Sequence, residues 1–143
     1  MMPSARTEYA LRALIELALQ PPDATLKISH IARSQMIPQK FLEGIMSSLR
    51  RGGFVRSRRG MDGGVQLSRP PADIRVGEVV GFLEAIASQP LRGGSQTPTG
   101  EVLQSLFCTA REQTKLFLDQ TSLEQLAEEV RNSSVAGVMN WDI

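Results

Sequence analysis

Residues 38–67 read PQKFLEGIMSSLRRGGFVRSRRGMDGGVQL, from Pro38 to Leu67, and this stretch decides the fold. On a helix turning about 100° per residue, Phe41, Leu42, Ile45, Met46 and Leu49 share one face. Lys40, Glu43, Gly44, Ser47 and Arg51 point the other way. Pro38 suits a first helical position and pushes Ile37 out of helical geometry. Gly52-Gly53 supplies the stop, with one of the pair in the left-handed conformation that glycine adopts cheaply. Phe54–Ser57 and Val65–Ser68 then read as two short strands around Arg58-Arg59-Gly60-Met61-Asp62-Gly63-Gly64. Between Gln39 and Gly60, Lys40, Arg50, Arg51, Arg56, Arg58 and Arg59 stand against a single acid, Glu43. A helix followed by a basic, glycine-hinged hairpin has the form of a recognition helix with a wing. It suits a phosphate-lined groove better than a small substrate.

Upstream, a first helix begins near Arg6 or Thr7 and ends before Pro21-Pro22. Ala10, Leu14, Leu17 and Ala18 recur at helical spacing, and Leu11 and Leu19 widen the stripe. Leu26–Ile28 is a short extended entry. Ser29 is expected to cap a brief second helix ending at Ser34, which buries Ile31 and Ala32. Gln35-Met36-Ile37 forms the turn into the third helix.

Downstream of Pro70-Pro71, a fourth helix runs from Arg75 or Val76 to Ala87, with Val76, Val79, Val80, Leu83 and Ile86 apolar. Ser88–Gly100 reads as a mobile loop. A long helix from about Thr99 to Asp119 gathers Val102, Leu103, Leu106, Phe107, Ala110 and Phe117 on one broad face. Ser122 caps a last helix, Leu123–Arg131, and the tail Asn132–Ile143 shows no period. The expected fold class is mainly α with a small β-hairpin: a winged helix-turn-helix over 1–72, then a helical region over 73–143.

Charge sharpens this division. The net charge is only +1, yet Met1–Arg75 holds 12 basic and 6 acidic residues while Val76–Ile143 holds 4 and 9. One half faces a polyanion and the other does something else. The single cysteine, Cys108, rules out an intrachain disulfide and fits a reducing compartment. Arg6, Glu8, Arg12 and Glu16 interrupt every early apolar run, so no secretory signal is read, and no stretch is apolar enough to span a membrane. A cytoplasmic location is expected.

The outward face of the third helix carries the chemistry. Lys40 can meet guanine acceptors or phosphate, and Glu43 can accept from a cytosine amine or reject a wrong base, with the Ser47 hydroxyl beside them. Arg50 and Arg51 also complement the negative end of the helix dipole. Arg58 and Arg59 flank the strand-to-loop junction, where a wing-tip arginine can enter a narrow minor groove. Gly60, Gly63 and Gly64 are expected to let the backbone approach a duplex closely. The candidate DNA contacts are Arg6, Gln39, Lys40, Glu43, Ser47, Arg50, Arg51, Arg58, Arg59, Gly63 and Gly64. No catalytic set emerges. The only histidine, His30, sits just inside the second helix, far in sequence from Cys108, and no third orienting group is suggested.

The arrangement resembles the bacterial winged-helix repressors typified by IscR, NsrR and CymR. The resemblance rests on Thr7-Glu8-Tyr9-Ala10-Leu11-Arg12-Ala13-Leu14, Ile37-Pro38-Gln39-Lys40-Phe41-Leu42-Glu43 and Leu49-Arg50-Arg51-Gly52-Gly53-Phe54-Val55. Arg58-Arg59-Gly60 with Gly63-Gly64, Val76-Gly77-Glu78-Val79-Val80, Leu116-Phe117-Leu118 and Ser122-Leu123 continue it, over roughly residues 1–131. It implies a homodimer joined by the long helix, so that 73–143 is a dimerisation region, and a palindromic site on double-stranded DNA. It also puts Lys40, Glu43 and Ser47 at recognition-helix positions and Arg59 at the wing arginine. Cluster-binding members place three cysteines between the fourth and long helices. Ser88–Gly100 has none and Cys108 lies beyond it, so no cofactor and no metal site are expected. An effector is unknown.

Two other readings stay open. A winged helix can serve as a protein-interaction module, although such a module needs no basic surplus on the third helix and wing. A thiol redox sensor could use Cys108, which the helical projection places near Gln104, Glu112 and Lys115, away from Leu106 and Phe117.

Overall fold

A computed structural model describes the backbone of residues 3–87 and 97–141, with side chains described through residue 85 and over 97–133. Among the described residues, six α-helices and one hairpin follow in order: α1 Ala5–Ala18, α2 Ile28–Gln35, α3 Gln39–Arg51, β1 Val55–Arg58, β2 Gly64–Leu67, α4 Val76–Ala87, α5 Pro98–Asp119 and α6 Leu123–Trp141. A 3₁₀ turn at Pro71–Asp73 leads into α4. Mainly α with a small hairpin is the architecture observed.

The helix-turn-helix is built by local chemistry. Ser4 caps α1 by accepting from the Thr7 amide, one of the amides a helix start leaves without a partner. Ala10, Ala13, Leu14 and Leu17 then line the buried face. The second helix starts earlier than expected. Lys27, extended at φ −70° and ψ 141°, takes the cap position without a side-chain bond, and Ser29 lies inside the helix. The cause is non-local: Leu26 pairs with Val65 through both amides, at 2.8 and 2.9 Å, and fixes where the chain can begin to turn. Met36 ends α2 at a left-handed φ of 55°, and Pro38 serves as the cap of α3.

Leu42, Ile45, Met46 and Leu49 of α3 are buried against α1 and α2, each worth roughly 1.5–3 kcal/mol relative to exposure. Gly53, at φ 77°, is the left-handed residue of the glycine pair. It turns the chain into an antiparallel hairpin whose register runs from Val55 opposite Leu67 to Arg58 opposite Gly64.

The second half closes over the first. Val76 donates to the Thr121 carbonyl at 2.8 Å and Leu123 to that of Ile74 at 2.9 Å, tying the starts of α4 and α6 together. Ser122 and Gln125 exchange side-chain to backbone bonds, a capping box that starts α6. Ile74, Val79, Leu83, Leu123 and Ala127 join the same core as α1 and α3. Phe54 at the hairpin root meets Phe82 of α4 edge-on at 5.6 Å.

Two expectations change in the second half. The last helix does not stop at Arg131 but continues to Trp141; backbone hydrogen bonds can propagate a helix where no apolar period announces it. Pro98–Gly100, assigned to the loop, belong to α5, where Thr97 accepts from the Gly100 amide at 3.0 Å. Residues 88–96 of that loop, and the side chain of Ile86, lie outside what is described.

Candidate nucleic-acid interface

α3 presents Gln39, Lys40, Glu43, Gly44, Ser47, Arg50 and Arg51 outward, all exposed. Lys40, Glu43 and Ser47 follow one another at near-helical spacing and line one stripe, with Gln39 Nε2 donating to Glu43 Oε1 at 3.4 Å. Phe41 is corrected from the buried face to the margin. It is 43% exposed and stands edge-on to Tyr9, ring centroids 5.7 Å apart. Position 41 lies about 90° from the centre of the buried stripe, so Tyr9 covers one side of the ring and leaves the other open.

The basic residues form a linked set. Arg6, on the first turn of α1, donates to Ser48 Oγ at 2.5 Å, and Arg51 donates to the same oxygen at 3.1 Å. Two guanidiniums thus converge on one buried hydroxyl. Arg50 donates to Ser57 Oγ at 2.9 Å and joins the end of α3 to β1. Arg58 donates to the Asp23 carbonyl at 3.4 Å. Lys40 and Arg59 make no side-chain hydrogen bond or ion pair among the described residues.

None of Arg6, Lys40, Arg50, Arg51, Arg56, Arg58 and Arg59 is ion-paired among the described residues. The pairs that exist lie elsewhere: Arg12–Glu8, Arg69–Glu78, Lys115–Asp119 and Arg131 with Glu124 and Glu128. A guanidinium bonded only to hydroxyls and carbonyls keeps its full charge and spare N–H donors. Fixed positive charge without counter-charge on an exposed surface attracts a polyanion.

The wing glycines have a different reason from the one expected. A Cβ on Gly63 would strike the Arg58 carbonyl and come within 2.8 Å of Gly60 O, and one on Gly64 would strike the Leu26 carbonyl. Gly63 is buried, with its amide bonded to Gly60 O at 3.0 Å. Both therefore serve the packing of the wing on itself and on the Leu26 bridge. Gly60 is the exception, at φ 111° with open space around it. It sets Arg59 and Met61, which is 96% exposed, at the wing tip.

Sequence reasoning missed Ser48, because a serine on the apolar side of α3 gives no local sign that two arginines will meet there. It missed Gln66 as well, which is buried and accepts from the cross-strand Arg56 at 2.7 and 2.8 Å when its amide oxygen faces that side chain. His30 and Cys108 are both exposed, on different helices. The described residues include no group of three or more His, Cys, Asp or Glu side chains placed to hold a metal, and no described helix is long and apolar enough to cross a membrane.

Comparison with known proteins places this geometry. The family model Rrf2, described as an iron-dependent transcriptional regulator, matches residues 3–129. A putative HTH-type transcriptional regulator of Mycobacterium tuberculosis is 33% identical over 137 residues, 96% of this chain and 82% of that protein. The HTH-type transcriptional regulator CymR of Bacillus subtilis is 32% identical over 124 residues, 87% of this chain and 88% of CymR. The solved structure of CymR superposes with a TM-score of 0.73 at 30% identity, covering 90% of this chain and 98% of that one. The IscR of T. potens superposes with a TM-score of 0.76 at 25% identity, covering 93% and 90%.

Proposed function

The chain belongs to the Rrf2 family of DNA-binding transcriptional regulators, and from that premise we propose that it is a homodimeric repressor of a palindromic operator. The single observation that carries the reading is the set of seven basic side chains on α1, α3 and the hairpin with no carboxylate partner among the described residues. α3 lies in the major groove, with Lys40, Glu43 and Ser47 toward base edges. Arg6 and Arg51, held by the shared Ser48 oxygen, meet a phosphate that replaces the missing counter-charge. Arg59 at the wing tip enters the minor groove.

The dimer follows from α5, whose Val102, Leu103, Leu106, Phe107 and Phe117 are exposed although apolar. A contiguous apolar face of this kind marks an interface, and a second copy of the same helix covers it. Two-fold symmetry then spaces the half-sites about one helical turn apart. A dimer seated on its operator blocks access to the DNA, hence repression. The whole chain has one cysteine and one histidine. A single thiol does not fit a cluster held by three cysteines.

Selection of sheared genomic fragments by the purified full-length chain tests the reading. Recovered fragments are expected to share an inverted repeat, and to lower expression of a reporter placed behind it when the protein is present. Fragments without a common repeat would overturn the operator assignment.

A further inference from the structure

A cavity of about 460 Å³ opens at the root of the wing, lined by Leu17, Pro21, Arg56, Gln66, Pro71 and Glu124 among others. Its size falls within the roughly 300–1,000 Å³ of small-molecule sites, which combine an apolar body with a few polar anchors. Leucine and proline side chains supply the apolar part here. The polar anchor is unusual for a short surface hairpin. Gln66 is only 5% exposed, although the neighbouring Val65 already faces the core and the opposite face of such a strand is ordinarily solvated.

The charges on the wall are not equivalent. Arg69 is paired with Glu78 at 3.2 Å, and Arg131 with Glu124 at 3.1 Å and Glu128 at 2.9 Å. Arg56 has no carboxylate among the described residues, and with the Gln66 amide oxygen turned toward it its acceptor is that neutral amide. Asp23, the other acid on the wall, is exposed. Arg56, itself exposed, is therefore the one guanidinium of the wall without a carboxylate partner among the described residues, on a lining that also holds the exposed, unpaired Asp23, and its remaining N–H donors can receive a planar carboxylate.

We propose that this cavity binds a small carboxylate with an apolar body, its carboxylate on Arg56 and its chain against Leu17 and the prolines, as an effector of operator binding. The binding site stands independently, while its regulatory use rests on the DNA-binding reading above. An occupant would lie between parts that are already bonded to one another. The loop after α1 grips the wing through Arg58 Nη1 to Asp23 O at 3.4 Å and Thr25 Oγ1 to Asp62 O at 2.6 Å. Arg131 of α6 reaches the end of α1 at the Ala18 carbonyl. Filling the space between them changes how the wing is held.

Thermal melts of the full-length protein with a series of acids from butyrate to hydrocinnamate, each beside its uncharged amide, test the site. At least one acid is expected to raise Tm saturably while its amide does not. Arg56→Gln should weaken that acid by about tenfold or more, the loss of a charged hydrogen bond pair. Gln66→Leu is a second variant that removes the anchor of Arg56 and keeps the apolar wall. Either no shift with any acid, or equal shifts with acid and amide, would overturn the site. Operator titrations with and without the acid test its use, with an expected change in affinity of about threefold or more; unchanged affinity would overturn the effector role alone. A melt response in a protein that binds no operator would instead refute the regulator reading and leave the site.

Discussion

α3 with the wing and α5 are both incomplete surfaces, in opposite senses. In the first, the large apolar side chains of α3 other than Phe41 are buried and the exposed cations lack carboxylates among the described residues. In the second, Lys115 is already paired with Asp119 at 2.8 Å, while Leu106, Phe107 and Phe117 are exposed, without apolar cover among the described residues. One face is short of negative charge and the other of hydrocarbon. Each deficiency names the chemistry of its complement: a polyanion for the first, a matching apolar helix for the second. The two halves of the chain differ in kind of partner, as their opposite net charges already suggest.

The largest effect should come from placing charge in the apolar face. Phe117→Glu is expected to raise the dimer dissociation constant by about a hundredfold or more, as loss of a central aromatic anchor does, measured by sedimentation velocity. Operator affinity should fall with it. A variant that stays dimeric would move the interface off α5. Next comes Arg59→Ala, which is expected to leave the fold intact because the side chain makes no hydrogen bond or ion pair among the described residues. Its operator affinity should drop about tenfold in a gel-shift titration, a loss of 1–3 kcal/mol being usual for a groove contact. No loss would remove the wing tip from the interface.

Glu43→Ala should act differently from either. Total affinity is expected to change little, or to rise slightly, as a carboxylate leaves a phosphate-facing surface. The ranking of operator variants should shift by several-fold at one base position. An unaltered ranking would make Glu43 a solvated bystander.

The smallest effect concerns neither face. Glu84 of α4 accepts from Thr7 Oγ1 at 2.8 Å and from Ser4. The Thr7 bond, opposed by burial and aided by Ser4, holds its carboxyl below the ordinary carboxylate value. A depressed folded-state pKa stabilises the protein above the unfolded pKa, and that contribution is lost as pH falls through the folded one. Thr7→Val should therefore lower Tm by a few degrees at neutral pH, and the gap should narrow as the solution is acidified below about pH 4. A gap independent of pH would mean that packing, not the carboxylate bond, accounts for Thr7.

Much of this was legible in the sequence where physics is local. α1 and α3 announce themselves by apolar spacing, by Pro38, and by a glycine pair whose second member proved left-handed. What escaped depends on contacts distant in sequence. Lys27 caps α2 because Leu26 pairs with Val65, and Gly63 and Gly64 are required because backbone passes where their side chains would be. Arg6 and Arg51 share Ser48 across 42 residues of sequence. The apolar face of α5 was readable, but periodicity reports that a face exists and not whether the chain covers it. The reach of α6 to Trp141 was unreadable for the reverse reason, having no apolar period to betray it.

The most direct test of the central claim is the salt dependence of operator binding by the wild-type protein and by Arg51→Ala. If the unpaired cations of α1, α3 and the wing meet phosphates, log affinity should fall linearly and steeply with log salt, by about 0.9 for each phosphate neutralised. Losing Arg51 should make the slope shallower by about one per subunit. A flat line, or an unchanged slope in the variant, would contradict the account.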